Sequence, residues 1–265
     1  MRRIAGAFIA ALALAAVTAV PAAAITNGEP DNGRHPYVGL IIFESPVGQP
    51  AWRCSGSLIS PTVVLTAGHC TDGAAAARVW FSEVVQGNPE YPFGGATSFE
   101  GTAYTYPEFC IGCGSGLPGF AYRDVGVVVL SEPVPVSVVS RYAQLPSTGY
   151  ADTLGGKAAL TVTGYGVQRQ IRGGGPPVWT GELRRLTAPA RLVSGSFTHS
   201  DEFIRVTASR GQGGGTCFGD SGGPVLRGDT VLAVNSYVTN SNCAGVTYAS
   251  RVDLAPVLAW VRSFL

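Results

Sequence analysis

The sequence is poor in charge and gathers none of it into a patch. Asp, Glu, Lys and Arg make up 13% of the 265 residues, the formal net charge is +1, and no basic run stands out, which argues against nucleic acid as a partner. Beyond residue 20 no apolar run reaches the ~20 residues that a bilayer crossing takes, so no later membrane span is expected. No internal repeat is present, which excludes repeat arrays. The three histidines leave few ligands for a structural metal centre, which needs about four, and neither a metal nor an organic cofactor is expected.

What is present begins with a leader. Arg2 and Arg3 form a basic start, Ile4 to Val20 is alanine-rich and apolar, and Ala22, Ala23 and Ala24 are small enough for a cleavage site. Residues 1–24 are expected to be a signal peptide, with a secreted, extracellular chain starting at Ile25. A retained anchor is the weaker reading, because the apolar stretch is short and ends in a cleavage site. Arg2-Arg3 alone is a thin basis for a twin-arginine route. Losing both arginines brings the net charge to about −1. Residues 25–265 are ample to bury a core.

Short apolar or alternating runs recur with turn residues between them: Tyr37 to Phe43, Trp52 to Ser60, Thr62 to Thr66, Arg78 to Phe81, Val125 to Leu130, Ala158 to Gly164, Leu183 to Val193, Val231 to Val238 and Val246 to Ala249. With 36 glycines and 18 prolines spread along the chain, this predicts an all-β protein. A single helix is expected at the C-terminus, where Leu254, Leu258, Val261 and Leu265 fall at helical spacing and Asp253 is placed to cap the start. The glycine- and proline-rich stretch from Gln168 to Gly181 reads as an exposed loop, with Arg169 and Arg172 solvated.

The most informative segment is Gly219-Asp220-Ser221-Gly222-Gly223-Pro224. It sets a serine in a tight glycine-flanked loop, where its hydroxyl and several backbone N–H groups can face one substrate. Serine is a weak nucleophile at its free pKa and needs a base and a group to orient that base. His69, in Leu65-Thr66-Ala67-Gly68-His69-Cys70, and Asp124, opening Asp124-Val125-Gly126-Val127-Val128-Val129-Leu130, supply them. Asp72 is the nearest rival acid, but it lies three residues past His69 and reads better as a solvated loop residue. The order is His, Asp, Ser. Esterases and lipases of the α/β-hydrolase kind order theirs Ser, Asp, His on a strand-to-helix elbow, which this chain lacks.

That order in these contexts resembles the chymotrypsin-like (trypsin-fold) serine endopeptidases, in their secreted bacterial type. The resemblance runs from Ile25 to the C-terminus. Cys54-Ser55-Gly56-Ser57-Leu58-Ile59, Val162-Thr163-Gly164-Tyr165-Gly166 and Val234-Asn235-Ser236-Tyr237 are similar to further family strands. The fold it implies is two six-stranded antiparallel Greek-key β-barrels with a C-terminal α-helix, over residues 25–147 and 148–265, with the cleft between them. Its partners would be protein or peptide substrates and protein inhibitors, and the chain would be a monomer.

Carried over residue by residue, the resemblance makes Ser221 the nucleophile, His69 the general base and acid, and Asp124 the group that fixes the imidazole tautomer. The N–H groups of Gly219 and Ser221 would form the oxyanion hole, with Gly219 free to take positive φ. The α-ammonium of a processed Ile25 would pair with Asp220 and hold the loop, so that export itself activates the enzyme. Gly215 stands at the pocket base where an acid would anchor Lys or Arg, and Val238 lies on a pocket wall, which implies small or medium apolar side chains. Tyr237 would flank the bound backbone, and the Ser236 carbonyl would accept its hydrogen bond. The implied disulfides are Cys54 with Cys70 and Cys217 with Cys243. Cys110 and Cys113 depart from the family pattern, and a local disulfide, a reduced redox pair and half a zinc site all remain open, with His35 and His199 as the leftover histidines. The main rival function is a protease fold whose activity has lapsed, used for binding or adhesion.

Overall fold

In the computed structural model, residues 25, 28–113, 121–166, 182–193, 202–208, 215–238, 243 and 246–265 are described. The leader, the Gln168–Gly181 loop and His199 lie outside them.

The β-branched and aromatic runs become strands whose side chains fill two barrels. In chain order the strands are β1 (Glu29–Pro30), β2 (Val38–Glu44), β3 (Pro50–Leu58), β4 (Val63–Thr66), β5 (Ala76–Trp80), β6 (Phe99–Thr105), β7 (Cys110–Ile111), β8 (Ala121–Tyr122), β9 (Gly126–Leu130), β10 (Ala159–Gly164), β11 (Leu186–Leu192), β12 (Phe203–Ala208), β13 (Pro224–Arg227), β14 (Thr230–Val238) and β15 (Val246–Arg251). Two helices join them, α1 (Gly68–Thr71) and α2 (Ala255–Arg262).

The first barrel closes in the order β2-β3-β4-β9-β6-β5. In the second, β10 to β15 run in the order β11-β10-β13-β14-β15-β12, and a β11–β12 pairing closes the ring. These are the two six-stranded antiparallel barrels expected from the motifs. Closure leaves the barrel strands without open edges; β1 adds to β11 from outside the ring, Glu29 opposite Thr187, and β7 and β8 form a separate two-stranded sheet.

The barrels are packed into each other. One buried cluster runs from Val38, Leu40 and Val64 in the first barrel to Tyr165, Leu226, Val234 and Val252 of the second; a separate one, including Ile25, Val162, Leu186 and Leu232, fills the second barrel. Arg185, just before β11, is buried across the seam, and its guanidinium donates to the carbonyls of Val38 at 2.9 Å and Phe81 at 3.1 Å. Asp31 balances that charge, accepting from Arg185 Nε at 2.9 Å and contacting His35 Nδ1 at 2.5 Å. Burial alone would raise the Asp31 carboxyl, but the His35 hydrogen bonds and the Arg185 charge bring it down to about 2.

The helix corrects two expectations. Asp253 makes no cap; it is fully buried, binds both Nε and Nη2 of Arg251, and accepts from the Ala151 N–H at 2.7 Å, so its carboxylate serves a buried ion pair. Leu254 is the N-cap instead, with a proline in the first turn. The buried face is Val257, Leu258 and Val261, while Leu265 is 58% exposed, because the helix ends at Arg262. The helix also reaches the first barrel, Trp260 meeting Tyr106 edge-on with centroids 5.3 Å apart.

Candidate active site

The histidine comes from the first barrel. His69 sits on α1, the short turn after β4, and the strand pairing of β4 with β9 brings Asp124, two residues before β9, beside it. The Asp124 carboxylate is completely buried and takes three hydrogen bonds: from the His69 backbone N–H at 2.7 Å, with His69 Nδ1 at 2.7 Å, and from Ser236 Oγ at 2.5 Å. Burial would raise its pKa, yet the imidazole charge and these hydrogen bonds outweigh it and hold the carboxyl below its usual range. Conversely, burial would lower His69, and the facing carboxylate raises it on balance. Nδ1 is thereby the protonated nitrogen, which leaves Nε2 as the basic one.

Ser236 reaches Asp124 because β14 bulges. Its register on β15 shifts between Asn235 and Tyr237, and this turns the intervening hydroxyl toward the carboxylate. The sequence reading assigned Ser236 only its carbonyl. No local signal marks the hydroxyl's partner, 112 positions earlier.

Ser221 lies on the second barrel, at a loop clamped from the first. The Ser55 N–H donates to Ser221 O at 2.8 Å, Ser55 Oγ donates to Gly219 O at 2.9 Å, and Ser55 Oγ accepts from the Tyr165 N–H at 3.0 Å. Ser55 lies in the Cys54–Ile59 motif, and no local pattern there marks it as a bridge to the Ser221 loop. Within the loop, the N–H groups of Asp220, Gly222 and Gly223 are bonded to Cys217 O, Asn235 O and Asp220 O. Those of Gly219 and Ser221 donate to nothing among the described residues. Gly219 adopts φ +94°, a conformation natural to glycine, and Gly222 at φ +75° packs so tightly that a Cβ there would strike Thr66 Oγ1 and the Ser55 carbonyl.

His69 and Ser221 open onto one cleft of about 860 Å³. No hydrogen bond joins Ser221 Oγ to the imidazole among the described residues; Nε2 faces Cys70 Sγ at 3.6 Å. Hydrogen bonds of this kind often tighten only with substrate in place.

Asp220 is fully buried. Its Oδ1 accepts from Gly166 N–H at 2.8 Å and Oδ2 from Cys217 N–H at 2.9 Å. Burial raises the carboxyl to about 7 despite these bonds and the Arg53 charge. Among the described residues no ion pair joins it to Ile25, which is buried with the second-barrel core. Gly215 is buried, and Ser236, Tyr237 and Val238 line a partly exposed strand edge. Cys54 is joined to Cys70, Cys217 to Cys243 and Cys110 to Cys113. His35 pairs with Asp31. The group Cys54, His69 and Cys70 has metal-ligand residue types, but with both sulfurs in a disulfide only the imidazole is left to coordinate.

The family described as Trypsin matches residues 25–261. The chain belongs to that family. Its enzyme class is serine endopeptidase, and this trypsin-family chain acts on protein or peptide substrates. It is 31% identical to brachyurin of Leptuca pugilator, over 79% of this chain and 86% of that one. It is 30% identical to a trypsin of Saccharopolyspora erythraea, over 80% and 86%, and 28% identical to serine protease 1 of Drosophila melanogaster, over 90% and 84%. Most of the relatives are insect or crustacean proteins, which does not support a bacterial type. Among solved structures, HL collagenase superposes with a TM-score of 0.69 at 21% identity, over 90% of this chain and 97% of that one. No helix among the described residues is long and apolar enough to cross a membrane.

Proposed function

We propose that this trypsin-family chain is a secreted endopeptidase that cleaves through an acyl-enzyme, with Ser221 as nucleophile, His69 as general base and then acid, and Asp124 as the group that holds the imidazole. One observation carries the reading: an imidazole fixed at Nδ1 by a buried carboxylate shares a cleft with a serine hydroxyl whose loop leaves two N–H groups free. Ser221 Oγ bonds to the scissile carbonyl carbon while Nε2 takes its proton. His69 returns that proton to the leaving amine, and water then releases the acid by the same route. Charge on the tetrahedral oxygen is met by the N–H groups of Gly219 and Ser221, each worth ~10²- to 10³-fold in turnover.

Gly215 at the pocket base offers no anchor for Lys or Arg, and Val238 narrows the wall, so the acyl side takes small to medium apolar side chains. Cleavage after Ala24 frees the Ile25 ammonium to pair with Asp220, whose carboxyl stays raised by burial despite the Arg53 charge. The processed enzyme works outside the cell as a monomer open to protein inhibitors, its barrels spanning residues 25–147 and 148–265. A binding role without catalysis has no observation in its favour; the likeness to human heparin binding protein, at 17% identity and a TM-score of 0.65, is one of fold.

The test is covalent labelling with an organophosphonate followed by peptide mapping. The label is expected on Ser221 and absent from Ser221→Ala; an unlabelled Ser221 in folded protein overturns the proposal. A peptide library then reads the acyl-side preference, and N-terminal sequencing of the active secreted form is expected to begin at Ile25.

A further inference from the structure

Ser55 is fully buried on β3 of the first barrel, and its hydroxyl sits between two segments of the second. The Tyr165 N–H donates to Ser55 Oγ at 3.0 Å, and Oγ donates to the Gly219 carbonyl at 2.9 Å. An amide N–H can only donate and a carbonyl can only accept, so the hydroxyl hydrogen has one direction open to it, toward Gly219. The backbone N–H of Ser55 donates to the Ser221 carbonyl at 2.8 Å. One residue therefore holds the carbonyls of Gly219 and Ser221, the two loop residues whose own N–H groups donate to nothing among the described residues.

The hydroxyl fixes a peptide that the chain alone leaves soft. Gly219, at φ +94°, lacks the Cβ that restricts other residues, so the peptide joining it to Asp220 can turn at modest cost. Two bonds hold that peptide: Gly219 O accepts from Ser55 Oγ, and the Asp220 N–H donates to Cys217 O at 3.0 Å. Releasing the carbonyl would free Gly219 to change φ as well as ψ, and φ aims its N–H. The niche is filled around the hydroxyl. A Cβ on Gly164 would come within 3.1 Å of Ser55 Oγ and one on Gly223 within 3.2 Å of Ser55 Cβ, which leaves little space for a water to take over its bonds.

Resting on the acyl-enzyme reading, we infer that Ser55 is a positioning residue for the oxyanion site: its hydroxyl holds the Gly219 peptide so that the Gly219 N–H stays aimed at the tetrahedral oxygen throughout the reaction. Ser55 touches no reacting atom, and its effect reaches the oxygen through Gly219. Donors set in advance act on charge that develops only in the transition state, so loss of the hydroxyl weakens binding of that state and leaves substrate binding alone.

The experiment compares Ser55→Ala with the parent chain on a peptide amide, per serine titrated by an organophosphonate. It also measures inhibition by a peptide aldehyde, whose tetrahedral adduct puts an oxygen where that of the intermediate would sit. In Ser55→Ala kcat is expected to fall about 10- to 100-fold with KM changed by less than about twofold, and aldehyde affinity to fall by a similar factor. Thr187→Val is the control for lost stability. It removes a buried hydroxyl on β11 that accepts from Thr163 Oγ1 at 3.1 Å, and it should lower the unfolding temperature while kcat and aldehyde affinity stay unchanged. Should Ser55→Ala not fold, Ser55→Cys is measured in its place, because its thiol fills the space and donates only weakly. Unchanged kcat and aldehyde affinity in the folded variant, or equal losses in Thr187→Val, overturn this inference while the labelled Ser221 stands. A parent chain that takes no label at Ser221 overturns the catalytic reading with it.

Discussion

A buried carboxylate acts here by what it is bonded to. Asp124 holds the imidazole in one tautomer, so Asp124→Asn, which keeps the shape but can present an N–H to Nδ1, is expected to lower kcat by about 10⁴-fold with little change in KM, measured on a peptide amide. Asp31 has a structural role, as counter-ion to Arg185 inside the barrel seam. Its folded pKa of about 2 lies below the unfolded carboxyl near 3.8. Its contribution is therefore present above about pH 4 and is lost as pH falls through about 2, and it amounts to roughly 2 kcal/mol. Urea unfolding between pH 2 and 6 should show this acid loss in the parent chain and not in Asp31→Asn, which should be less stable at pH 6.

Loops and strand ends determine what each element contributes. The Ser221 loop closes on Asp220, whose carboxyl burial raises to about 7. A folded pKa above the unfolded one stabilises fully below about pH 4, and that stability fades as pH rises through about 7. An Ile25 ammonium would remove this penalty. A form retaining residues before Ile25 is expected to lose stability between pH 5 and 8, and the processed form to lose much less, as read from thermal unfolding at both pH values. Sequence reading of elements succeeded where apolar runs were dense, as at β2, β4, β9 and β14. It passed over β6, β12 and β13. Most side chains of β6 are exposed or half-buried, and Gly101 interrupts the pattern where Val128 and the Val129 carbonyl press close, so no alternation marks it. The four residues of β13 open on Pro224, directly after the nucleophile loop, too short a run to stand out.

At the scale of the molecule, the first barrel's buried cluster extends into the second barrel, which also has a core cluster of its own. The buried cluster linking β2 and β4 to Leu226, Val234 and Val252, together with Arg185 across the seam and Trp260 on Tyr106, couples the two barrels through buried contacts. Unfolding is therefore expected to be one cooperative step, with far-UV and tryptophan signals coincident and activity lost at the same midpoint. Two separated transitions would mean that the seam is weaker than its burial implies. Under the proposed mechanism catalysis would depend on this packing, because His69 and Ser221 come from different barrels and a small shift between them would separate base from nucleophile.

The sequence alone was enough to identify the residue types of a Ser-His-Asp chemistry, their order, the β architecture and the cysteines, because nucleophile loops, strand periodicity and cysteine contexts are local patterns. It did not reveal the Ser236 hydroxyl on Asp124, the Ser55 clamp on the Ser221 loop, or the burial of Asp253 with Arg251. Most of these pair residues more than 100 positions apart, and even Asp253 and Arg251 are placed by what packs around them. Such contacts exist only once two closed barrels bring distant segments together, and no local propensity encodes the partner.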